Sequence, residues 1–412
     1  MNEIIQLQPI INIGCLGSVS DGKSTLVAKL TGIKTQRHTD ELKRNITINQ
    51  GYGNLKIFDD SINYYTTDST STNDTTDHKL VNHISFVDCP GHHELIQTML
   101  SSIVLMDGAI VVIGVNQPLS QKPQLIQHLA AVKLGKINKI IICMNKIDLV
   151  SKELLKERKH ELDKLLAEFE IKPYAIIPTC FNKKINMKYV IKAIMELFNP
   201  EEYIQRSTNN PIFRVSRSFD INKAGTDWSQ VVGGVIGGSL FSGKLQVGDK
   251  IEIRPGQVSK DKQGKFICTP ITTTILSIKT DTTELNEIIP GGLIGIRTDL
   301  DPYYCKHNGL SGQVVGKIGT LPDVTNEISL NINIVSSFGF VWNPKVNDLL
   351  MLQIGTKMCE AKLIKINKDI YSMTLTKPIC ISNNQHIIVC CLVNKILKIV
   401  GEGYSLNENI NN

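Results

Sequence analysis

Two groups of residues have the types and spacing needed to hold a nucleoside triphosphate. Gly17-Ser18-Val19-Ser20-Asp21-Gly22-Lys23-Ser24 matches G-x-x-x-x-G-K-S, follows an apolar run from Ile11 to Cys15 and opens a helical pattern at Lys23. That context makes it a phosphate cradle: Gly17 and Gly22 let backbone N–H groups approach the phosphates, and Lys23 bridges the β- and γ-phosphates. The Ser24 hydroxyl is placed to ligate Mg²⁺, with Thr25 beside it. The second group, Asn145-Lys146-Ile147-Asp148, addresses the base. Guanine presents N1–H and the N2 amine as adjacent donors that Asp148 can accept together, whereas adenine has an acceptor at N1 and no amine at C2. A polar site built for donors that the wrong base lacks discriminates by a factor of about 10⁴. Asn145 adds contacts to the base, and the Lys146 stem can lie along its ring. In Pro178-Thr179-Cys180, a weaker signal, backbone N–H groups could meet guanine O6.

Between these groups lie two further boxes. In Arg44-Asn45-Ile46-Thr47-Ile48, Thr47 is placed to complete the Mg²⁺ shell and sense the γ-phosphate, a reading that rests on its position between the other boxes. Asp88-Cys89-Pro90-Gly91-His92 ends a strand pattern at Ile84 to Val87, so Asp88 can reach Mg²⁺ through water. Gly91 can turn its N–H toward a γ-phosphate, a contact made with GTP and lost with GDP, which makes the following segment a switch. His92 is then placed to orient the attacking water, the alternative being a surface histidine. Lys23, Gly91 and His92 are thus the catalytic candidates. Cys89 reads as packing. Arg37 and Arg44 read equally well as surface charges, so no arginine finger is assigned and slow turnover awaiting an activator is expected.

The elements that must position these boxes follow from the pattern. Ile10 to Cys15, Ile84 to Val87, Ala109 to Val115, Ile140 to Met144 and Tyr174 to Ile177 read as buried strands, with amphipathic stretches at Gln121 to Leu134 and Lys152 to Phe169. The alternation predicts a mostly parallel sheet with helices on both faces, a nucleotide-binding architecture, and with the boxes above it makes residues 1–205 an α/β GTPase domain. Beyond Pro200 short β-rich runs are punctuated by Gly233-Gly234, Gly237-Gly238 and Gly291-Gly292, which predicts two all-β barrels, 206–322 and 323–412, divided at the turn Leu321-Pro322-Asp323. Residues 59–79, polar and low in complexity, are expected to form a mobile loop, and 407–412 a frayed tail.

Composition narrows the setting. At 412 residues, two or three domains are expected. The net charge of +6, from 45 basic and 39 acidic residues, permits an RNA partner without requiring one. Ten cysteines without a C-x-x-C pair fit free thiols in a reducing compartment, and Cys390 and Cys391 should point to opposite sheet faces. The start of the chain lacks a signal-peptide pattern and no apolar stretch reaches the roughly 20 residues of a membrane span, so a cytoplasmic location and no membrane partner are expected.

With the boxes assembled, the chain resembles the gamma subunit of eukaryotic and archaeal translation initiation factor 2, within the elongation factor Tu superfamily. The likeness rests on Ile11-Asn12-Ile13-Gly14, Arg44 to Ile48 with Gly51-Tyr52, Phe86 to His92, Asn145 to Leu149, Gly233 to Gly238 and Gly248 to Gly256. It implies a GTPase domain followed by two barrels, GTP/GDP and Mg²⁺ as ligands, and delivery of methionylated initiator tRNA to the small ribosomal subunit, with hydrolysis as release. The aminoacylated tRNA end would lie near Tyr52, whose ring is either a stacking surface for a base or core packing. Alpha and beta subunits on the second barrel and the GTPase domain, a GTPase activator and an exchange factor are implied partners. Other tRNA carriers, an elongation factor 1 alpha or a selenocysteine-specific factor, and a nucleotide-binding scaffold without hydrolysis are the rival readings.

Three departures from that family stand out. Ser18 and Asp21 occupy positions where histidine is usual, and Asp21 brings negative charge near the phosphates, worth about 1 kcal/mol if it points inward and is screened. The 59–79 segment has no cysteine, so no structural zinc is expected there. Cys180 stands where alanine is common.

Overall fold

The computed structural model describes residues 2–35, 51–59, 64–68, 79–91, 95–223, 225–335, 342–394 and 396–406. Thr47, His92, Arg37 and Arg44 lie outside them. The chain divides into two compact units, Met1–Ile204 and Gln205–Asn412.

The first unit is built on one mixed sheet of seven strands: β1 Ile11–Leu16, β2 Gly51–Asp59, β3 Tyr64–Asp68, β4 Lys79–Asp88, β5 Gly108–Gly114, β6 Ile140–Asn145 and β7 Ala175–Pro178. Their order is β3-β2-β4-β1-β5-β6-β7. The five strands from β4 to β7 in that order run parallel, while β2 and β3 are antiparallel at one edge. Every residue of β1, β5 and β6 is buried, the signature of parallel strands covered on both faces. Each large side chain so buried contributes roughly 1.5–3 kcal/mol. The helices are α1 Asn2–Leu7, α2 Lys23–Thr31, α3 Ile96–Ile103, α4 Pro123–Leu134, α5 Lys152–Glu168, α6 Met187–Leu197 and α7 Pro200–Ile204. In α4, Pro123 supplies the fixed φ suited to a first turn, and Leu125, Leu129 and Val132 form a buried stripe. In α5 the Ser151 hydroxyl caps the first turn by accepting from Leu154 N at 3.2 Å.

One expectation for this unit is corrected. The 59–79 segment is not a single loop: Tyr64–Asp68 is a strand paired along β2 from Leu55↔Asp68 to Asp59↔Tyr64. A polar run that alternates against a neighbouring strand gains its ladder from that neighbour, which composition does not report.

The second unit holds two barrels with antiparallel strands. In the first, Lys250–Lys260, Val314–Lys317, Ile212–Phe219, Val235–Ser242, Ile294–Thr298 and Phe266–Thr280 follow one another around the sheet, and the last pairs back on the first. Phe213, Ile236, Ile253, Ile296 and Val315 fill its interior. In the second, Val324–Ile334, Ile370–Cys380, Lys357–Asn367, Leu349–Ile354, His386–Val393 and Ile396–Ser405 close completely around Leu330, Leu352, Leu363, Ile387 and Val389. Closure removes the exposed edges that short strands would otherwise present. Cys391 joins this core, and a register shift falls between Val389 and Cys390. The connection between the barrels is held from both sides. Arg254 Nη1 donates to the carbonyls of Leu321 and Pro322, each at 3.0 Å, and Thr356 Oγ1 donates to Val215 O at 2.8 Å.

Candidate nucleotide site

The phosphate loop turns between β1 and α2 with three residues in left-handed backbone: Gly17 at φ 140°, Ser20 at φ 63° and Gly22 at φ 108°. A Cβ on Gly17 would sit 2.1 Å from Val112 O, and one on Gly22 2.4 Å from Asn145 Nδ2. Both glycines are therefore required by close approach as well as by φ. Val19 and Ser20 form the outer turn of the loop, while Ser24 and Thr25 follow Lys23 in the first turn of α2, where free N–H groups favour anions.

Lys23 is buried, and its Nζ donates to Ser18 O at 2.8 Å. Burial pushes its ammonium below the usual lysine range, while the carboxylates of Asp88 and Asp21 pull the other way. Gly91 lies against it: a Cβ there would be 2.5 Å from Lys23 Nζ and 2.9 Å from Gly17 O. The third box thus sits directly on the first. Asp88, at the end of β4, is fully buried and accepts from Thr35 Oγ1 at 2.5 Å. Thr35 is backed by Gly51, where a Cβ would be 2.5 Å from the Thr35 Cβ. Tyr52 is half-buried in β2, opposite Val87 of β4.

Asn145 does something that its motif does not announce. Its Nδ2 donates to Asp21 O at 2.8 Å and its Oδ1 accepts from Phe181 N at 3.2 Å, so one amide ties the phosphate loop to the segment after β7. Lys146 follows in left-handed backbone at φ 68°. Asp148 pairs with Lys183 at 3.1 Å; a hydrogen bond with Cys180, followed by that of Lys183, holds its carboxyl below the usual range. It is therefore held as an anion. The fifth element differs from expectation. Thr179 N donates to Met144 O at 2.7 Å and Cys180 N to Ile185 O at 3.4 Å, so neither N–H is directed at guanine O6 in this conformation. The strand-end geometry at Cys180↔Ile185 takes them instead.

Four contributors escaped the motif reading: Thr35, Lys122, His128 and Lys183. His128 on α4 is buried, and its Nδ1 accepts from Gly17 N at 2.7 Å. Burial, with Lys23 nearby, pushes its imidazolium down to about 3, so the ring is neutral with its proton on Nε2. Its position three residues from Leu125 on the apolar stripe was the available signal. Lys122 reaches the Asp21 carboxylate, both side chains being almost fully buried. Asp21 is therefore not an uncompensated charge facing the phosphates.

Comparison with known proteins settles the family. Residues 8–200 match the elongation factor Tu GTP-binding domain, 233–315 match elongation factor Tu domain 2, and 328–405 match the C-terminal domain of initiation factor eIF2 gamma. The eukaryotic translation initiation factor 2 subunit gamma of Encephalitozoon cuniculi is 38% identical, the match covering 97% of this chain and 93% of that protein. This chain belongs to the initiation factor 2 gamma family. Initiation factor 2 subunit 3 of Drosophila melanogaster is 36% identical over 97% of the chain and 89% of its own length. The crystal structure of bacterial selenocysteine-specific elongation factor EF-Sec superposes with a TM-score of 0.76 over 98% of this chain and 60% of that one; at 21% identity it speaks for the fold alone. The chain is accordingly a guanine-nucleotide-using translational GTPase with the three-domain architecture of elongation factor Tu. The match at 328–405 separates it from the elongation and selenocysteine readings.

Proposed function

We propose that this initiation factor 2 gamma relative carries methionylated initiator tRNA to the small ribosomal subunit in its GTP form and releases it on hydrolysis. The observation that supports a nucleotide-gated switch is the seating of Gly91 on Lys23 and Gly17. Backbone in that position meets whatever stands at the γ-phosphate end of the loop, so the segment beyond Gly91 answers to the presence of that phosphate.

Chemistry at such a site is positional. Water attacks the γ-phosphorus in line, the bond to the β–γ bridging oxygen breaks, and GDP and phosphate leave. Lys23 balances charge that builds on the phosphate oxygens, Gly91 N–H holds the γ-phosphate, and His92 orients the water. Asp148 accepts the two donors of guanine, while Asn145 keeps the base segment and phosphate loop in register. Ser24 and Asp88 are hard oxygen donors at the ends of α2 and β4, the donor chemistry that Mg²⁺ takes, and with Thr47 they would hold it. When bound, Mg²⁺ would neutralise charge on the β- and γ-phosphates.

Tyr52 is the residue we assign to the tRNA end, as a stacking surface. Alpha and beta subunits, an activating factor and an exchange factor are the partners proposed, in the cytoplasm. Among the described residues no helix is long and apolar enough to cross a membrane. Filter binding of initiator and elongator aminoacyl-tRNA to the GTP and GDP forms tests the proposal: retention of initiator tRNA with GTP alone is expected, and equal retention of both tRNAs would sink it. Single-turnover hydrolysis with ribosomal subunits and an activating factor should collapse in His92→Ala; an unchanged rate would remove His92 from the mechanism.

A further inference from the structure

A carboxylate inside a phosphate loop repels the ligand that the loop is built to hold, and Asp21 is such a carboxylate. It is 2% exposed, so water does little to screen it. Its Oδ2 accepts from Ser18 N at 3.1 Å, its Oδ1 takes the Lys122 ammonium, and its own carbonyl is held by Asn145. Lys122, itself 4% exposed, comes from the residue just before α4, 101 positions along the chain. Gly114 leaves room for the pair: a Cβ there would be 2.8 Å from Asp21 Oδ1 and 3.5 Å from Lys122 Nζ.

We infer that Lys122 is a positioning residue for nucleotide binding, a resident counter-cation that turns the Asp21 carboxylate aside and cancels its charge so that the loop can accept a polyphosphate. The inference rests on the reading of residues 17–24 as the phosphate cradle. Removing one member of a buried pair leaves the other charge uncompensated, whereas removing both leaves none. The carboxylate released by loss of Lys122 would act on the ligand through its phosphates and not through its base. Its effect therefore grows with the number of phosphate charges nearby.

The full chain is titrated with GMP, GDP and the β,γ-imido analogue of GTP, in wild type, Lys122→Met, Asp21→Asn and the double variant, with thermal melting as a check on folding. Lys122→Met should lose at least about tenfold in affinity for the triphosphate analogue, less for GDP and least for GMP, a scale consistent with breaking one buried ion pair. Asp21→Asn should bind as well as wild type or better, and the double variant should recover to within about threefold of wild type, since the two effects are coupled. Lys122→Met binding like wild type, an equal loss for all three nucleotides, or a loss that persists undiminished in the Asp21→Asn background would overturn the inference. A wild-type chain that binds none of the three would remove the reading of the cradle itself, and the inference with it.

Discussion

Single atoms set the packing of the candidate site, and Gly91 is the sharpest case. A methyl group there would have to displace the Lys23 ammonium or the Gly17 carbonyl. Gly91→Ala should therefore lower single-turnover GTP hydrolysis by about 10²-fold, the scale of a misplacement near 1 Å, and lower the melting temperature as well, since Gly17 O and Ser18 C are backbone atoms that must shift. Buried histidines give a second residue-scale test. His83 and His128 are both pushed down to about 3, chiefly by burial. Between that value and the unfolded value of about 6.5 the unfolded chain binds protons that the folded chain does not, so stability rises with pH and is complete above about 6.5. Denaturant unfolding between pH 5 and 6.5, above most carboxylate titration, should show a slope of up to about 1.4 kcal/mol per pH unit for each histidine. His83→Asn/His128→Asn should flatten it; an unaltered slope would mean that other groups carry the dependence.

At the scale of elements, what could be read from sequence was what neighbours along the chain encode. The glycine box, the all-buried runs of β1, β5 and β6, and the base-reading tetrad are each written within a few residues. What could not be read were pairings across long separations. β2 carries Asn54 and Lys56, both buried in a strand whose composition argues for a surface, and β3 takes its strand pairing from β2 while packing against α2 and α6. The Asn145 side chain bridges two loops, Asp21 in one and Phe181 in the other, so a residue legible as a base contact turned out to be a brace between elements. Asn145→Ala leaves two buried backbone groups unsatisfied, at about 1–3 kcal/mol each. GDP affinity should fall by about ten- to a hundredfold while Asp148 continues to exclude ATP; intact affinity would contradict the brace.

Across the whole molecule, the two units differ in how they were anticipated. The mixed sheet was foreseen as mostly parallel, and it is; the two barrels were foreseen from glycine punctuation and turn spacing alone. Strand order was not, because closure pairs Lys250–Lys260 with both Val314–Lys317 and Phe266–Thr280. Each barrel has its own core, so residues 205–412 should fold when expressed alone, with a β-type circular dichroism spectrum. Leu352→Ala in the second core should cost about 2–5 kcal/mol in denaturant unfolding of that fragment.

Arg254 and Thr356 give that fragment a mechanical character. Leu321 and Pro322 are gripped by one guanidinium and Thr356 is bonded into the neighbouring barrel, so the crossing between barrels is braced beyond its covalent chain. Turning one barrel against the other would have to break these hydrogen bonds.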